Sequence, residues 1–175
     1  STPTITAVAS NPTICSGLAS TITPSGAVSY TISGGAVNSP TVGTSFTVNP
    51  TSNTVYSIVG TDASNCISTT ATVAINVNAT PTVAISASSA TICSGQTTTL
   101  TAATADNYSW SIGATGNTIA LAPNTNTVIT VTGTNTAGSC TATAQFSVTV
   151  NATPTVAISA SSATICSGQT TTLTA

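Results

Sequence analysis

Lysine, arginine, histidine, glutamate and methionine are all missing from the 175 residues, and the only acidic side chains are Asp62 and Asp106. Each absence removes a class of function. General acid-base catalysis draws on His, Glu, Asp, Lys, Tyr or Cys within reach of the substrate, and the two aspartates fall in different parts of the chain with no second carboxylate nearby in sequence. A Ser or Thr nucleophile needs an adjacent base, and none is present to serve the many hydroxyls. Without Lys or Arg nothing neutralises phosphates, which supply most of the affinity for nucleic acid. Zinc and similar metals want four soft or imidazole ligands held close together, and the chain has no His and no C-x-x-C pair. The sequence therefore reads as non-enzymatic, with no catalytic residue, no cofactor-binding or metal-binding residue, no cofactor and no nucleic-acid partner.

What is there points to strands. Threonine alone fills 42 positions, and Ser, Asn, Val, Ile and Ala make up most of the rest. That mixture of β-branched and small polar residues favours strands and turns over helices. Disorder is the competing reading of a Ser/Thr-rich chain, but disordered segments combine low hydrophobicity with high charge, whereas this one is 40% hydrophobic and 1% charged. No apolar run approaches the ~20 residues that cross a bilayer, so no membrane insertion is expected in this segment. No signal-peptide pattern opens the chain, and any such signal is expected to have been removed or to lie outside it.

The chain is an array. Val77 to Ala102 reads VNATPTVAISASSATICSGQTTTLTA, and Val150 to Ala175 repeats it letter for letter 73 positions later. A diverged copy opens the sequence, STPTITAVASNPTICSG, aligned through Pro3, Pro81 and Pro154 and through Cys15, Cys93 and Cys166. A fixed period means one unit read several times: residues 1–77, residues 78–150, and residues 151–175 as the first two strands of a third, incomplete unit.

Within the second unit, Val83 and Ile85 alternate with small residues, Thr91-Ile92-Cys93 continues that strand to a Ser94-Gly95-Gln96 turn, and Thr97 to Ala102 forms the next strand around Leu100. Tyr108, Trp110 and Ile112 alternate as a third strand. Ile119 with Leu121, Ile129 with Val131, and Phe146, Val148 and Val150 mark three more. The first unit supplies Tyr30 and Ile32, Phe46 and Val48, Tyr56 and Ile58, and Val73, Ile75 and Val77 at the matching places, with length differences confined to turns such as Gly34 to Gly43. Period-two patterning broken every eight to twelve residues by Gly, Pro and Asn is the signature of an all-β sandwich. The aromatic strands read as core rather than as a carbohydrate platform, since one Trp in two units makes no exposed row.

The pattern PTxxISAxxxxICSGQxxTLTA, then YSWS, TVITVTGTNTAGSC and QFSVTVN, resembles the tandem immunoglobulin-like repeats, similar also to polycystic-kidney-disease-type modules, of very large secreted surface proteins in gliding Bacteroidota. The chain departs from them in its lack of charge, and the Asp of their final hairpin is Asn135 here, kept only as Asp62 in the first unit. The resemblance implies an extracellular stalk, adhesin or filament, commonly exported by the type 9 route, with no catalytic residues to carry over.

Cys15 and Cys66 fall in the first unit, Cys93 and Cys140 in the second, and Cys166 in the third. Disulfides fit an oxidising, extracellular setting. The default pairing is within units, Cys15 with Cys66 and Cys93 with Cys140. In an immunoglobulin-like sandwich, however, the first Cys lies at the end where the chain leaves and the second at the opposite end, and a six-residue strand at ~3.3 Å per residue holds those ends ~20 Å apart. A disulfide tolerates ~4.4 to 6.8 Å between Cα atoms. Head-to-tail stacking favours pairing across units, Cys15 with Cys140 and Cys93 with the matching Cys of a further unit. Were a crossing strand missing, both turns would share one end and the within-unit pairing would return.

Asn-Ala-Thr-Pro (Asn78 to Pro81, Asn151 to Pro154) joins the units with almost no linker, and Pro both stiffens the joint and withholds a backbone donor. The expected object is a rod of sandwiches reinforced by disulfides: a structural segment of an extracellular filament or cell-surface stalk. The alternative is an adhesin whose repeats contact polysaccharide or a host surface. Near-zero charge leaves sheet edges unprotected, so the partners expected are neighbouring repeats, other copies in a fibre, and surface polysaccharide. Asn78, Asn107 and Asn151 are candidate glycosylation acceptors by sequon.

Overall fold

The computed structural model describes residues 2–35 and 37–175. Eight strands build the first sandwich: β1 (Thr6–Ala9), β2 (Thr13–Cys15), β3 (Ser20–Ser25), β4 (Ser29–Gly34), β5 (Val37–Gly43), β6 (Phe46–Val48), β7 (Thr54–Thr61) and β8 (Ala71–Asn78). One sheet runs β1-β3-β6 and the other β2-β8-β7-β4-β5. The second sandwich repeats this with β9 (Ala84–Ala87), β10 (Thr91–Cys93), β11 (Thr98–Ala103), β12 (Asn107–Trp110), β13 (Thr118–Leu121), β14 (Thr127–Thr134) and β15 (Thr141–Asn151), in sheets β9-β11-β13 and β10-β15-β14-β12. These groupings are those of the immunoglobulin sandwich.

Alternation along each strand sorts side chains into core and surface. In β7, Tyr56 and Ile58 point inward, and in β14, Ile129 and Val131 do the same. They meet Ile22, Ile32 and Ile75 in the first core and Leu100, Trp110 and Val148 in the second. Each strand then passes through a glycine, Gly60 or Gly133, because there is no room for a Cβ. At Gly133 one would lie 2.6 Å from Val83 and 2.8 Å from Ala105, and at Gly60 2.7 Å from Ile5 and 2.8 Å from Ala27. The start of each sandwich is thereby pressed against the far end of its central strand.

The opening strand of each unit is not continuous, contrary to the expectation that Thr91-Ile92-Cys93 extends it. β1 and β9 pair antiparallel with β3 and β11, whereas β2 and β10 cross to the other sheet and run parallel to β8 and β15. A buried hydroxyl holds the crossing. Ser20 Oγ donates to Asn11 O at 2.8 Å, and Thr98 Oγ1 donates to Ser89 O at 2.7 Å, with Ser20 and Thr98 each 1% exposed. Thr98→Val keeps the shape and deletes the donor, stranding a partly buried carbonyl. A loss of about 1–3 kcal/mol is expected, read as a lowered urea midpoint with unchanged m-value.

Two further expectations are corrected. Gly34 to Gly43 is not a turn: Val37–Gly43 is a whole strand, β5, paired with β4 from Tyr30↔Gly43 to Gly34↔Val37. The first unit thus spends its extra length on an added edge strand. Ile112 does not continue the Tyr108-Trp110 strand. Trp110 N donates to Ala114 O and Gly113 N to Trp110 O, both at 2.9 Å, so the chain turns immediately after Trp110 and leaves Ile112 54% exposed. Gly113, at φ +82°, supplies the left-handed residue that the turn requires.

After Asn151, β16 (Ser159–Ala160) pairs with β17 (Leu173–Thr174) in the same register as β9 with β11, Ser159↔Thr174 matching Ser86↔Thr101. Thr164-Ile165-Cys166 forms no strand here, although its letters are those of β10.

Candidate functional site: the junction between the sandwiches

Cys15 ends β2, and the parallel pairing Cys15↔Asn78 places it beside the residue at which the first sandwich hands the chain on. Ser16 N donates to Asn78 O at 3.0 Å, and Gly17 N to Pro50 O at 3.0 Å, so the chain immediately after the cysteine is held twice. Cys140 approaches from the second sandwich, at the end of the turn between β14 and β15. Gly138 at φ +71° and Ser139 at φ +52° curl that turn, and Asn135 N donates to Cys140 O at 2.9 Å to close it. Cys15 and Cys140 are joined by a disulfide, with Cα atoms 5.6 Å apart and a sequence separation of 125. The Cys140 sulfur is fully buried, 3.8 Å from the carbonyl oxygens of Asn78 and Gly138.

Cys66, Cys93 and Cys166 carry free thiols. Cys15 and Cys66 do not meet, because the eight residues of β7 lie between the two ends of the first sandwich, about 26 Å at ~3.3 Å per residue. Cys93 and Cys140 are kept apart in the same way by β14.

Other contacts complete the joint. The Asn135 amide donates from Nδ2 to Ala79 O at 3.1 Å, tying the turn after β14 to the first residue of the joint beyond β8. Asp62, its counterpart in the first sandwich, turns inward instead, accepting from Ser64 N at 2.8 Å and Cys66 N at 2.9 Å. Only an amide can donate, so the exchange of Asp for Asn visible in the sequence converts a loop-closing group into a bridging one. The sequence showed the exchange; it gave no sign of the acceptor, which lies 56 residues away. Gly138 faces the Asn78 side chain so closely that any Cβ there would collide with it. Pro81 is buried, while the equivalent Pro154 is exposed.

Asn135→Asp is expected to remove the bridge and set a carboxylate against a carbonyl oxygen. A neutral hydrogen bond contributes roughly 1 kcal/mol, so reduction of Cys15–Cys140 by dithiothreitol under native conditions should run about fivefold faster in the variant.

Asp106 braces the same end of the second sandwich. Its carboxylate accepts from Thr136 N and Thr136 Oγ1, both at 2.8 Å, tying the loop after β11 to the turn after β14. The Thr136 backbone N–H, and then its hydroxyl, hold the Asp106 pKa below the ordinary aspartate value. A depressed folded pKa stabilises fully above the unfolded value of about 3.9 and is lost as pH falls through the lower folded value. The melting temperature of the second sandwich should hold from pH 7 to about 5 and decline below about 4, and Asp106→Asn should flatten that decline.

The sequons lie at different kinds of place. Asn107 opens β12 and Asn151 closes β15, both exposed, whereas Asn78 is half-buried with its side chain against Gly138. Trp110 is 2% exposed, its indole N–H donating to Gly116 O at 2.8 Å, and Tyr108 is 9% exposed, its hydroxyl accepting from Ala105 N at 2.7 Å. Both belong to the core. Among the described residues no three His, Cys, Asp or Glu side chains come together, and no helix is long and apolar enough to cross a membrane.

No protein-family model matches the chain, and no curated protein does. Among solved structures it is similar to the amphioxus IgVJ-C2 molecule, at 12% identity over 78% of this chain and 99% of that one, with a TM-score of 0.35. It is similar to murine CEACAM1b, at 14% identity over 86% and 100%, with a TM-score of 0.39. It is also similar to the fibronectin(III)-like modules of Clostridium thermocellum CbhA, at 10% identity over 84% and 95%, with a TM-score of 0.38. Strand order defines the class: immunoglobulin-like β-sandwiches in tandem. The disulfide of this chain crosses from one sandwich to the next.

Proposed function

We propose that the chain is a structural repeat segment of an extracellular filament or cell-surface stalk, its sandwiches stacked head to tail as a rod. The observation that carries this reading is the disulfide Cys15–Cys140, which fastens one sandwich to its neighbour rather than closing either core. A link of that kind does nothing for a catalytic or ligand pocket, and it persists in an oxidising compartment. The short joint from Asn78 to the buried Pro81 and the bridge from Asn135 support the same reading. So does the resemblance to secreted surface repeats of gliding Bacteroidota. An uncharged surface suits side-by-side packing with other copies.

The adhesin alternative predicts an exposed aromatic or polar cluster near Asp106 to Trp110; the burial of Tyr108 and Trp110 supports no aromatic platform there, while Asp106 and Asn107 are exposed. Electron microscopy of the native particle tests the proposal. Filaments with an axial repeat of one or two sandwich lengths are expected, becoming flexible but not shorter under reducing agent. Isolated particles with sandwiches at random angles in oxidising buffer would overturn it.

A further inference from the structure

The five cysteines occupy two kinds of position, and one of each kind is already bonded. Cys93 repeats the setting of Cys15. It ends β10, pairs in parallel register as Cys93↔Asn151, and is followed by Ser94 N donating to Asn151 O at 2.9 Å and Gly95 N to Pro123 O at 3.2 Å. Cys66 repeats the setting of Cys140. It closes the turn after β7, with Asp62 N donating to Cys66 O at 3.0 Å, and follows Asn65 at φ +60° as Cys140 follows Ser139 at φ +52°. Both thiols are half-buried rather than sealed in a core.

The joint recurs together with the cysteines: Asn78 to Pro81 and Asn151 to Pro154 carry the same letters, Asn-Ala-Thr-Pro, and each opening asparagine lies in parallel register beside a cysteine, Cys15↔Asn78 and Cys93↔Asn151.

We infer that Cys93 and Cys66 are the unfilled halves of two further junctions of the Cys15–Cys140 kind. Cys93 takes the turn cysteine of a following sandwich, and Cys66 takes the β2-type cysteine of a preceding one. The partner is another copy of this unit, supplied by the same polypeptide or by a second chain. The inference rests on the head-to-tail reading above. Each junction forms one S–S bond from two thiols. The two protons and two electrons released pass to a small disulfide oxidant such as oxidised glutathione, which leaves as two thiols.

Two arms test it, both in a mixed glutathione buffer, with thermolysin digestion and mass spectrometry because trypsin has no site in this sequence. In the first, the 175-residue chain is incubated at high concentration. Supply by a second chain gives a ladder of covalent oligomers joined from Cys66 to Cys93 or Cys166, lost in Cys66→Ser while Cys15–Cys140 remains. In the second, a copy of residues 103–150 is appended after Ala175 to complete the third sandwich. Supply by the same polypeptide gives a monomer in which Cys93 is bonded to the added turn cysteine. Either linkage supports the inference and identifies the source. Like-with-like bonds, Cys66 to Cys66 or Cys93 to Cys93, or thiols still open to alkylation in both arms, overturn it. Failure of the filament reading alone would show as particles without an axial series while the linkage map stands.

Discussion

Trp110→Ala is expected to unfold the second sandwich and leave the first intact. The indole is 2% exposed, lies among Leu100, Ile129 and Val131, and donates its only N–H to Gly116 O. Truncating a buried Trp costs about 3–5 kcal/mol through lost transfer energy and the cavity left behind. A domain of some seventy residues holds roughly 4–10 kcal/mol in total, so most of that margin goes. The first core contains no residue of the second, and nothing in the substitution reaches it. Amide NMR spectra should show residues 5–78 still dispersed while 83–151 collapse to unfolded shifts. A change below about 1 kcal/mol would mean that the indole is not packed as described.

Removing the disulfide should have the opposite signature. In the double variant Cys15→Ser, Cys140→Ser, both cores should survive, because neither sulfur lies in either cluster of packed side chains. What is lost is coupling. The chain-entropy estimate for a cross-link over more than a hundred residues is about 5 kcal/mol, but that applies only when everything inside the loop unfolds together. While one sandwich stays folded, the bond restrains mainly the joint. Denaturant unfolding should therefore change from overlapping transitions to two separate ones, and small-angle scattering should broaden from one separation between the sandwiches to a distribution. The Asn135 side-chain amide should lose its distinct shift as the bridge to Ala79 opens. Unchanged scattering would show that noncovalent contacts alone fix the joint.

Much of the fold was legible because the pleat has period two and the chain keeps to it: Tyr56 and Ile58, and Phe146 with Val148, could be assigned to one face from letters alone. The limits show where the same letters do different things. Ile92 is 6% exposed and Ile165 49%; Leu100 is fully buried and Leu173 66% exposed, within identical strings. β10 exists because β15 lies alongside to receive its hydrogen bonds, and Thr164 to Cys166 has no such neighbour. Strand formation there is a property of the partner, not of the segment. Ile112 falls outside its strand for a related reason: the alternation of letters continues past a turn whose start is fixed by backbone bonds around Trp110. Strand β5 was hidden because residues 34–43 mix Gly, Pro and Asn with few large apolar side chains, which reads as a loop until β4 supplies an edge to pair with. At the junction, the cysteines were visible as a pattern, but the Asn135 bridge and the Gly138 contact depend on two surfaces meeting.

The joint is crossed by covalent bonds twice, once by the backbone from Asn78 to Val83 and once by Cys15–Cys140. A single covalent connection behaves as a swivel, about which one body can spin under any torque. Two connections side by side remove that freedom and fix the angle through which each sandwich is turned relative to the last. If the same pair of crossings recurs at every joint, one angle is copied along the whole array, and the handedness of the assembled object is written in the placement of two sulfur atoms.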